Sequence, residues 1–241
     1  MSNRTVTMDV TRYSQGTPSL MKETVPIEAP VQLIVNERVL ANFFCTPREL
    51  EYLGVGHLVS RGLLTEPGQL ISVETARGPD LTEIRIRTRD DRDPIDTRSG
   101  SSIREKQQPV TVDNLLASVA FLKQGSPFFH ETGSAHRTIV FRGDHPIADH
   151  EDIARHNTLD KVLGRFFCDQ IPTDGTILCT TGRLFYQIVS KGAAGRFPVI
   201  VSKGAATDRT IELAAGEGIT LVGFARGDRF NIYCHAHRIR A

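Results

Sequence analysis

The stretch GTILCTTGRLFYQIVSKGAAGRFPVIVSK, residues 175–203, decides the fold class. It begins with a short β-rich run, continues with apolar residues at helical spacing, and ends in a second β-rich run. Strands that alternate with helices in this way are typical of a sheet that is largely parallel and covered by helices. The stretch therefore predicts an α/β fold.

The same alternation continues on both sides of this stretch. In chain order, the pattern predicts a helix at 111–124, a strand at 138–143, a helix from Asn157, a helix at 207–218, and strands at 220–227 and 229–234. Asn157 can cap its helix, with Asp160 three residues later. A layered α/β domain is therefore expected from residue 109 to residue 241.

A smaller α+β domain is predicted for residues 1–108. It begins with a flexible arm at 1–30 and continues with two strands at 31–44 that are joined by a turn at Asn36–Glu37. Further strands are predicted at 70–75 and 82–88.

A helix is predicted within CTPRELEYLGVGHLVSRGLL, residues 45–64. Thr46 is its expected N-cap, Pro47 its first residue and Glu49 the second member of a capping box. His57 falls on the apolar face of this helix, where a packed side chain is the simplest interpretation.

Residues 89–108 are polar, charged and rich in turn formers. A loop of this length inside a compact chain is usually functional or disordered. It is interpreted as a functional loop and as the boundary between the two domains.

The composition gives no support to a nucleic-acid or membrane partner. The 241 residues carry a net charge of +1, so an anionic ligand must be bound by local chemistry. No apolar run approaches the roughly 20 residues that span a bilayer, and the first 30 residues lack the apolar segment of a secretion signal. A cytoplasmic location is expected.

The four cysteines, Cys45, Cys168, Cys179 and Cys234, form no C-x-x-C pair and match no structural zinc spacing. They are expected to be reduced and mostly buried. No metal site is predicted.

Polar clusters follow several of the predicted strands, where α/β sheets bind ligands. Arg155, His156 and Asn157 stand where the apolar stripe of Leu159 and Leu163 should begin. The other clusters are TTGR at 180–183, SKGAAT at 202–207, FARGDR at 224–229, and His130 with His136 before a strand. Helix N-termini and arginines bind phosphate, so together these junctions suit a phosphorylated or nucleotide-like ligand.

Six segments together resemble the FdhD/NarQ family, the accessory proteins of formate dehydrogenase. They are TPRELEYLGVGHLVSRGLL, FHETGSAH, EDIARHNTLDKVLG, TGRLFYQIVSKGA, PVIVSKGAAT and ITLVGFARGDRFNIY. They stand in the order of the family and cover most of residues 31–240, and EDIARHNTLDKVLG is the most specific of them.

The resemblance implies a homodimer whose larger domain is similar to cytidine deaminase in fold but lacks its zinc. It also implies a sulfur carrier rather than a conventional enzyme. A cysteine desulfurase would load a persulfide onto a loop cysteine. The sulfur would then pass to the Mo-bis-molybdopterin guanine dinucleotide cofactor before insertion into the catalytic subunit of formate dehydrogenase. Guanosine diphosphate would mimic the end of that cofactor.

The resemblance also suggests which residues bind the cofactor. The matching segment is Phe224, Ala225, Arg226, Gly227, Asp228 and Arg229. Further candidates at the strand ends are His136, Arg155, His156, Asn157 and Arg183.

The chain departs from the family at the persulfide cysteine, since Ser101 occupies its place. A hydroxyl cannot become a persulfide, because sulfur transfer requires a thiolate. Three alternatives follow. The protein is a cofactor-binding chaperone or regulator without sulfur transfer, or another cysteine such as Cys45 carries the sulfur. In the third alternative, the recorded sequence of this loop differs from the natural one.

Two further functions remain open. A nucleoside- or base-modifying enzyme would use Glu131 and His136, but this chain lacks the P-C-x-x-C motif that supplies the zinc ligands of deaminases. A purely structural interaction protein would bind no nucleotide.

Overall fold

The computed structural model describes residues 4–89 and 108–241. The chain begins with an antiparallel hairpin of β1 (Thr5–Ser14) and β2 (Thr17–Pro26). The arm predicted at 1–30 therefore contains a β-hairpin, and its flexibility stays a prediction. β-branched residues recur along both strands, and Gln15 and Gly16 take the positive φ angles, 51° and 81°, that a two-residue hairpin turn requires.

A four-stranded sheet forms the first core of the molecule. Its strands are β3 (Ala29–Val35), β4 (Arg38–Cys45), β5 (Leu70–Arg77) and β6 (Thr82–Thr88), in the order β4-β3-β6-β5. The predicted turn at Asn36–Glu37 is confirmed, with both residues at positive φ. One face of the sheet packs against helix α1 (Leu50–Ser60), and Leu33, Ile84 and Leu53 are completely buried between them.

The predicted start of α1 is wrong. The helix begins at Leu50, and Glu49 precedes it in a left-handed conformation without a side-chain cap. The Oγ1 atom of Thr46 instead accepts a hydrogen bond from the backbone of Ile153, at 3.3 Å. The capping pattern assigned the Thr46 hydroxyl to the N-terminus of α1, but this oxygen bonds to a residue 107 positions further along the chain.

The second half of the chain alternates between strands and helices. In order, its elements are β7 (Val110–Thr111), α2 (Val112–Lys123), α3 (Pro127–Thr132), β8 (His136–Arg142), β9 (His145–Asp152), α4 (Arg155–Cys168), β10 (Thr176–Thr180), α5 (Tyr186–Ala194), β11 (Val199–Ser202), α6 (Asp208–Glu217), β12 (Thr220–Arg226), β13 (Arg229–Cys234) and β14 (Ile239–Arg240). Short 3-10 helices lie at Pro67–Gln69 and Ala236–Arg238.

The main sheet has six strands in the order β13-β12-β11-β10-β8-β9. Only the three neighbours β10, β11 and β12 are parallel, so the prediction of a largely parallel sheet is wrong for the other half. β9 escaped prediction because its sequence, HPIADHED, is polar. Apolar side chains of α4, α5 and α6 pack on one face of the sheet, and those of α2 pack on the other. The predicted α/β class is confirmed, with helices on both faces of a mixed sheet.

The predicted division at residue 108 stays a prediction. Most of the predicted functional loop, residues 90–107 with Ser101, lies outside the described residues. At its borders the amide of Arg89 donates to the carbonyl of Gln69, and the amide of Gln108 donates to Asp174 Oδ1, both at 2.9 Å. No helix in the described ranges is long and apolar enough to cross a membrane.

Helices α1 and α4 cross at two glycines. A Cβ atom at Gly56 would overlap the carbonyl oxygen of Asp160, and one at Gly164 would overlap the carbonyl of Tyr52. The two backbones are therefore in direct contact, and only glycine allows this approach. The crossing joins the first core to the main sheet, because α4 packs on that sheet.

A Gly56→Ala substitution should destabilise the protein. The new methyl group forces the helices apart, and overpacking of this kind costs about 1–3 kcal/mol or more. Chemical denaturation measures the change. Gly216→Ala is the matched control, since Gly216 also lies in a helix and a Cβ there meets no atom within 4 Å. The control should be neutral or stabilised by up to about 1 kcal/mol, and equal losses in both variants would contradict the role of the crossing.

Candidate functional site

The candidate site lies where β10 and β11 end and α4 begins. The start of β8 is at the same edge, because β8 runs antiparallel to β10 and Thr138 pairs with Thr180. This arrangement brings His136 to the first turn of α4, where Arg155 and His156 lie. The prediction that polar clusters at the strand ends meet at one edge of the sheet is confirmed for His136, Arg155 and His156.

Asn157 has a different role from the predicted N-cap. Ala154 precedes the helix without a side-chain cap, and Asn157 is buried in the first turn. Its Nδ2 donates to Asp152 Oδ1 at 2.9 Å and to the carbonyl of Phe44 at 3.1 Å. Asn157 therefore fixes the helix to strand β4, and its amide nitrogen is not free for a ligand.

Asp152 is the centre of a buried network that the sequence did not reveal. Its Oδ2 accepts hydrogen bonds from Lys161 Nζ at 2.7 Å and from the Thr46 amide at 3.2 Å. Its Oδ1 accepts from the Ala154 amide at 3.0 Å and from Asn157. The side chains of Asp152 and Lys161 are both 0% exposed. Four donors, one of which is the Lys161 cation, thus hold the entry to α4 in place.

His136, Arg155 and His156 form a group of cationic and potentially cationic side chains. Burial lowers the pKa of His136, and the charge of Arg155 lowers it further. Burial also lowers the pKa of His156, with additional contributions from Lys191 and Arg155. Both imidazoles are therefore neutral at pH 7, and the arginine carries the charge.

The TTGR segment holds these side chains at close range. Thr181 Oγ1 accepts from the Arg137 amide at 3.0 Å and lies 3.3 Å from His136 Nδ1. A Cβ at Gly182 would lie 3.2 Å from Cδ of Arg155, so the small residue lets the arginine pack against the end of β10.

Arg155 and Arg183 lie near Phe185. The Cζ atom of Arg155 is 5.8 Å from the ring centroid, and that of Arg183 is 4.7 Å away. These are distances at which a guanidinium is attracted to an aromatic face. Sequence reasoning missed Phe185, although an aromatic residue two positions after TTGR was a usable signal.

The polar cluster that follows β11 is hydrogen-bonded to the TTGR segment that follows β10. Ser202 Oγ donates to the carbonyl of Gly182 at 2.5 Å and accepts from the Gly204 amide at 3.0 Å. The carbonyl of Gly204 in turn accepts from the Phe224 amide at 3.0 Å. A chain of hydrogen bonds thus connects the ends of β10, β11 and β12.

The FARGDR segment lies at the hairpin between β12 and β13, in agreement with the two strands predicted at 220–227 and 229–234. Phe224 to Arg226 belong to β12, and Gly227 and Asp228 form the turn to β13. The pairing is irregular between Gly223 and Arg226. Phe224 has a φ of 50° and is 43% exposed.

Two of the six predicted FARGDR residues are limited in how they can bind. Ala225 is 1% exposed and packs in the core beneath α2, so its side chain cannot touch a ligand. Gly227 has a positive φ and serves the turn. Arg226, Asp228 and Arg229 are exposed at the tip.

Comparison with known proteins shows which family the chain belongs to. A model of the FdhD/NarQ family matches residues 26–240. The chain belongs to the FdhD/NarQ family. It is 30% identical to the sulfur carrier protein FdhD of Listeria innocua, over 95% of this chain and 97% of that protein. It is 27% identical to the protein of the same name from Bacillus subtilis, with 98% of each chain covered.

A solved structure has a similar fold. A putative formate dehydrogenase accessory protein from Desulfotalea psychrophila superposes with a TM-score of 0.84 and 24% identity, covering 98% of this chain and all of that one. The FdhD/NarQ member described here therefore shares the mixed α/β fold of that protein. Its likeness to cytidine deaminase stays a prediction.

The Lys161→Met substitution tests the buried network of this family member. It leaves the Asp152 carboxylate buried without its cation, which should lower the free energy of unfolding by about 3–5 kcal/mol. Lys22→Met is the matched control, because the Lys22–Asp9 pair is similar in length, 2.9 Å, but exposed. That change should cost less than about 1 kcal/mol. Similar losses in the two variants, measured by denaturation, would show that burial of the pair is unimportant.

Proposed function

We propose that the protein is a formate dehydrogenase accessory protein that binds the guanine dinucleotide end of the Mo-bis-molybdopterin guanine dinucleotide cofactor. The cationic site at the start of α4 is the observation that carries this proposal. The similar structure from Desulfotalea psychrophila is that of a putative formate dehydrogenase accessory protein, which supports the accessory role.

Arg155 offers the best fit to a diphosphate. Its Nε atom is buried and has no hydrogen-bond partner among the described residues. An unsatisfied buried donor is costly, and a phosphate oxygen would satisfy it. The fourteen-residue helix α4 adds the positive end of its dipole, and its first turn contains no acidic residue.

Arg183 and the neutral histidines complete the phosphate site in this proposal. Arg183 would contribute a second guanidinium beside Phe185. His136 and His156 would donate hydrogen bonds as neutral imidazoles, without the repulsion that two more cations would cause.

Phe224 is proposed to contact the guanine base. Phe224 is held at a strained backbone position by the hydrogen bond that its backbone amide donates to the Gly204 carbonyl. Its ring is exposed, and aromatic rings stack on bases. Arg226 and Arg229 are directly paired across the hairpin and would face the remaining phosphate or base edges. The cofactor would supply the molybdenum chemistry, and these residues would bind and orient it.

The described cysteines do not support sulfur transfer. Burial raises the pKa of Cys45 and of Cys179 to about 12, and it also raises the pKa of Cys168 and Cys234. A persulfide carrier needs a thiolate. Cys45, the suggested substitute, is 0% exposed, so we favour a cofactor-binding chaperone over a sulfur carrier.

The remaining partner assignments are proposals from the family. They are the formate dehydrogenase catalytic subunit as recipient, a homodimer and a cytoplasmic location. A cysteine desulfurase as sulfur donor belongs to the sulfur-carrier alternative. The alternative of a base-modifying enzyme gains no support from Glu131, whose carboxylate is 3.5 Å from Arg4 in an ion pair.

Titration calorimetry with guanosine diphosphate tests the cofactor site. Micromolar binding, about −8 kcal/mol, is expected for the unmodified protein. Arg155→Ala and Arg226→Ala should each weaken binding about tenfold, or about 1.4 kcal/mol. Arg12→Ala, which removes an exposed arginine of the hairpin β1–β2, should leave binding unchanged. Absence of binding, or equal affinity in all four proteins, would overturn the proposal.

Mass spectrometry after incubation with a cysteine desulfurase and cysteine tests the sulfur step. The unmodified protein should gain no sulfur, because none of its cysteines is an accessible thiolate. Ser101→Cys should gain the mass of one sulfur atom, which reducing agent removes. A persulfide on the unmodified protein would instead establish sulfur carriage by one of the four natural cysteines.

A further inference from the structure

The hairpin of β1 and β2, residues 5–26, is an arm that is attached to the rest of the protein at its base. Arg4 there forms ion pairs with Glu131 of α3 and Glu151 of β9, at 3.5 and 3.3 Å. Its guanidinium also lies over the ring of Phe128, 4.5 Å from the centroid. Beyond the base the two strands are mostly exposed, and Tyr13 near the turn is 71% exposed. A two-stranded hairpin is marginally stable in water, so the arm needs a further strand or a surface to pack on.

Every second backbone amide of β1 points away from β2. Ser14 pairs with Thr17 across the two-residue turn, and at the other end the Ile27 amide donates to the Arg4 carbonyl. Hydrogen-bonded and non-hydrogen-bonded pairs alternate along an antiparallel ladder. The odd-numbered residues of β1, such as Thr7, therefore present their amides at the outer edge of the arm. Among the described residues, no strand other than β2 pairs with β1.

The outer edge of β2 is blocked against pairing, and that of β1 is open. β2 contains Pro18 and Pro26. They pair with Tyr13 and Thr5, so they stand at positions whose amide would point outward. Proline cannot donate to a further strand, and Lys22 is a residue of the kind that natural edge strands use against pairing. β1 contains no proline and no lysine, and half of its ten residues are threonine or valine, so its edge is a template for another strand.

The charges of the arm are balanced within the arm. Asp9 pairs with Lys22 at 2.9 Å, and Arg12 pairs with Glu23 at 3.6 Å. These are the charged residues of the two strands, so the arm has no net charge. A strongly charged partner would find no complementary field here, whereas an identical arm meets no net repulsion.

The apolar residues of the arm lie largely on one face. Val6 pairs with Val25 and Val10 pairs with Met21, and Met8 lies between the two pairs on the same side. A two-fold axis perpendicular to the sheet places β1 antiparallel to a second β1 and keeps this face on the same side. The two apolar faces would then form one surface across four strands. Three or more strands with an apolar face have the stability that a lone hairpin lacks.

We propose that the arm pairs with the arm of a second copy of this chain, β1 against β1, in one antiparallel sheet of four strands. The inference rests on the homodimer of the proposed function and names the surface that forms it. Each β1 strand gains the backbone hydrogen bonds that its outer edge lacks. The arms extend from the bases at Arg4, so each body stays attached to its own arm while the arms hold the two copies together.

Light scattering after gel filtration tests the β1 edge with proline variants. Thr7 and Thr24 are directly paired, and the amides of both point away from the opposite strand. Thr7→Pro removes a donor from the outer edge of β1 without breaking a hydrogen bond inside the hairpin. It should weaken dimerisation by about tenfold or more and shift the measured mass from two chains toward one. Thr11→Pro blocks the same edge and should act in the same way.

Thr24→Pro is the matched control, because it places the same residue at the outer edge of β2. It should remain as dimeric as the unmodified protein. Circular dichroism and guanosine diphosphate titration show whether the variants are folded. Thr7→Pro should retain the spectrum and the affinity of the unmodified protein, because the arm contributes no residue to the candidate site.

Two kinds of result would overturn the inference. Dimeric Thr7→Pro and Thr11→Pro proteins, or equal loss of the dimer in Thr24→Pro, would show that the β1 edge is not the interface. A monomeric unmodified protein would overturn the homodimer as well and would leave the edge to a strand of a different protein. The proposed cofactor site is decided separately, by guanosine diphosphate binding and Arg155→Ala.

Discussion

The buried pair of Asp152 and Lys161 is the constraint on which the site depends. Burying a carboxylate is costly, and only a full set of donors offsets the cost. Those donors come from the segment after β4, from the entry to α4 and from the interior of that helix. None of these parts can move without leaving a charge unsatisfied in the core. The first turn of α4 is therefore fixed, and with it the positions of Arg155 and His156.

Asp160 connects this rigid helix to α1 and to α5. Its backbone carbonyl touches Gly56 of α1, while its carboxylate binds Lys191 of α5. The close crossing that the glycines permit is thus also what places His57 beside Asp160. A larger side chain at position 56 would therefore disturb both the helix packing and the position of the Asp160 carboxylate.

Local sequence patterns predicted most elements of the fold. They failed where a side chain that looks like a helix cap bonds to a distant residue instead. The strands β3 to β6 and the helix α2 follow from alternation and apolar spacing. Thr46 and Asn157 look like helix caps, but their side chains bond to residues more than a hundred positions away. His136, Arg155 and His156 could be found because strand ends meet at one edge. Asp152 and Lys161 could not, because nothing local shows that they will be buried together.

The electrostatics of the site follow from the same burial. Three cationic groups beside one helix N-terminus would repel each other in the absence of a ligand. Burial and the charge of Arg155 hold the pKa values of both histidines below the usual range, so the repulsion is avoided at neutral pH. A bound diphosphate would reverse this effect, because negative charge favours the protonated imidazole. In the proposed function, anion binding and proton uptake would therefore be linked at this site, and its affinity for an anion would increase as the pH falls through the histidine pKa values.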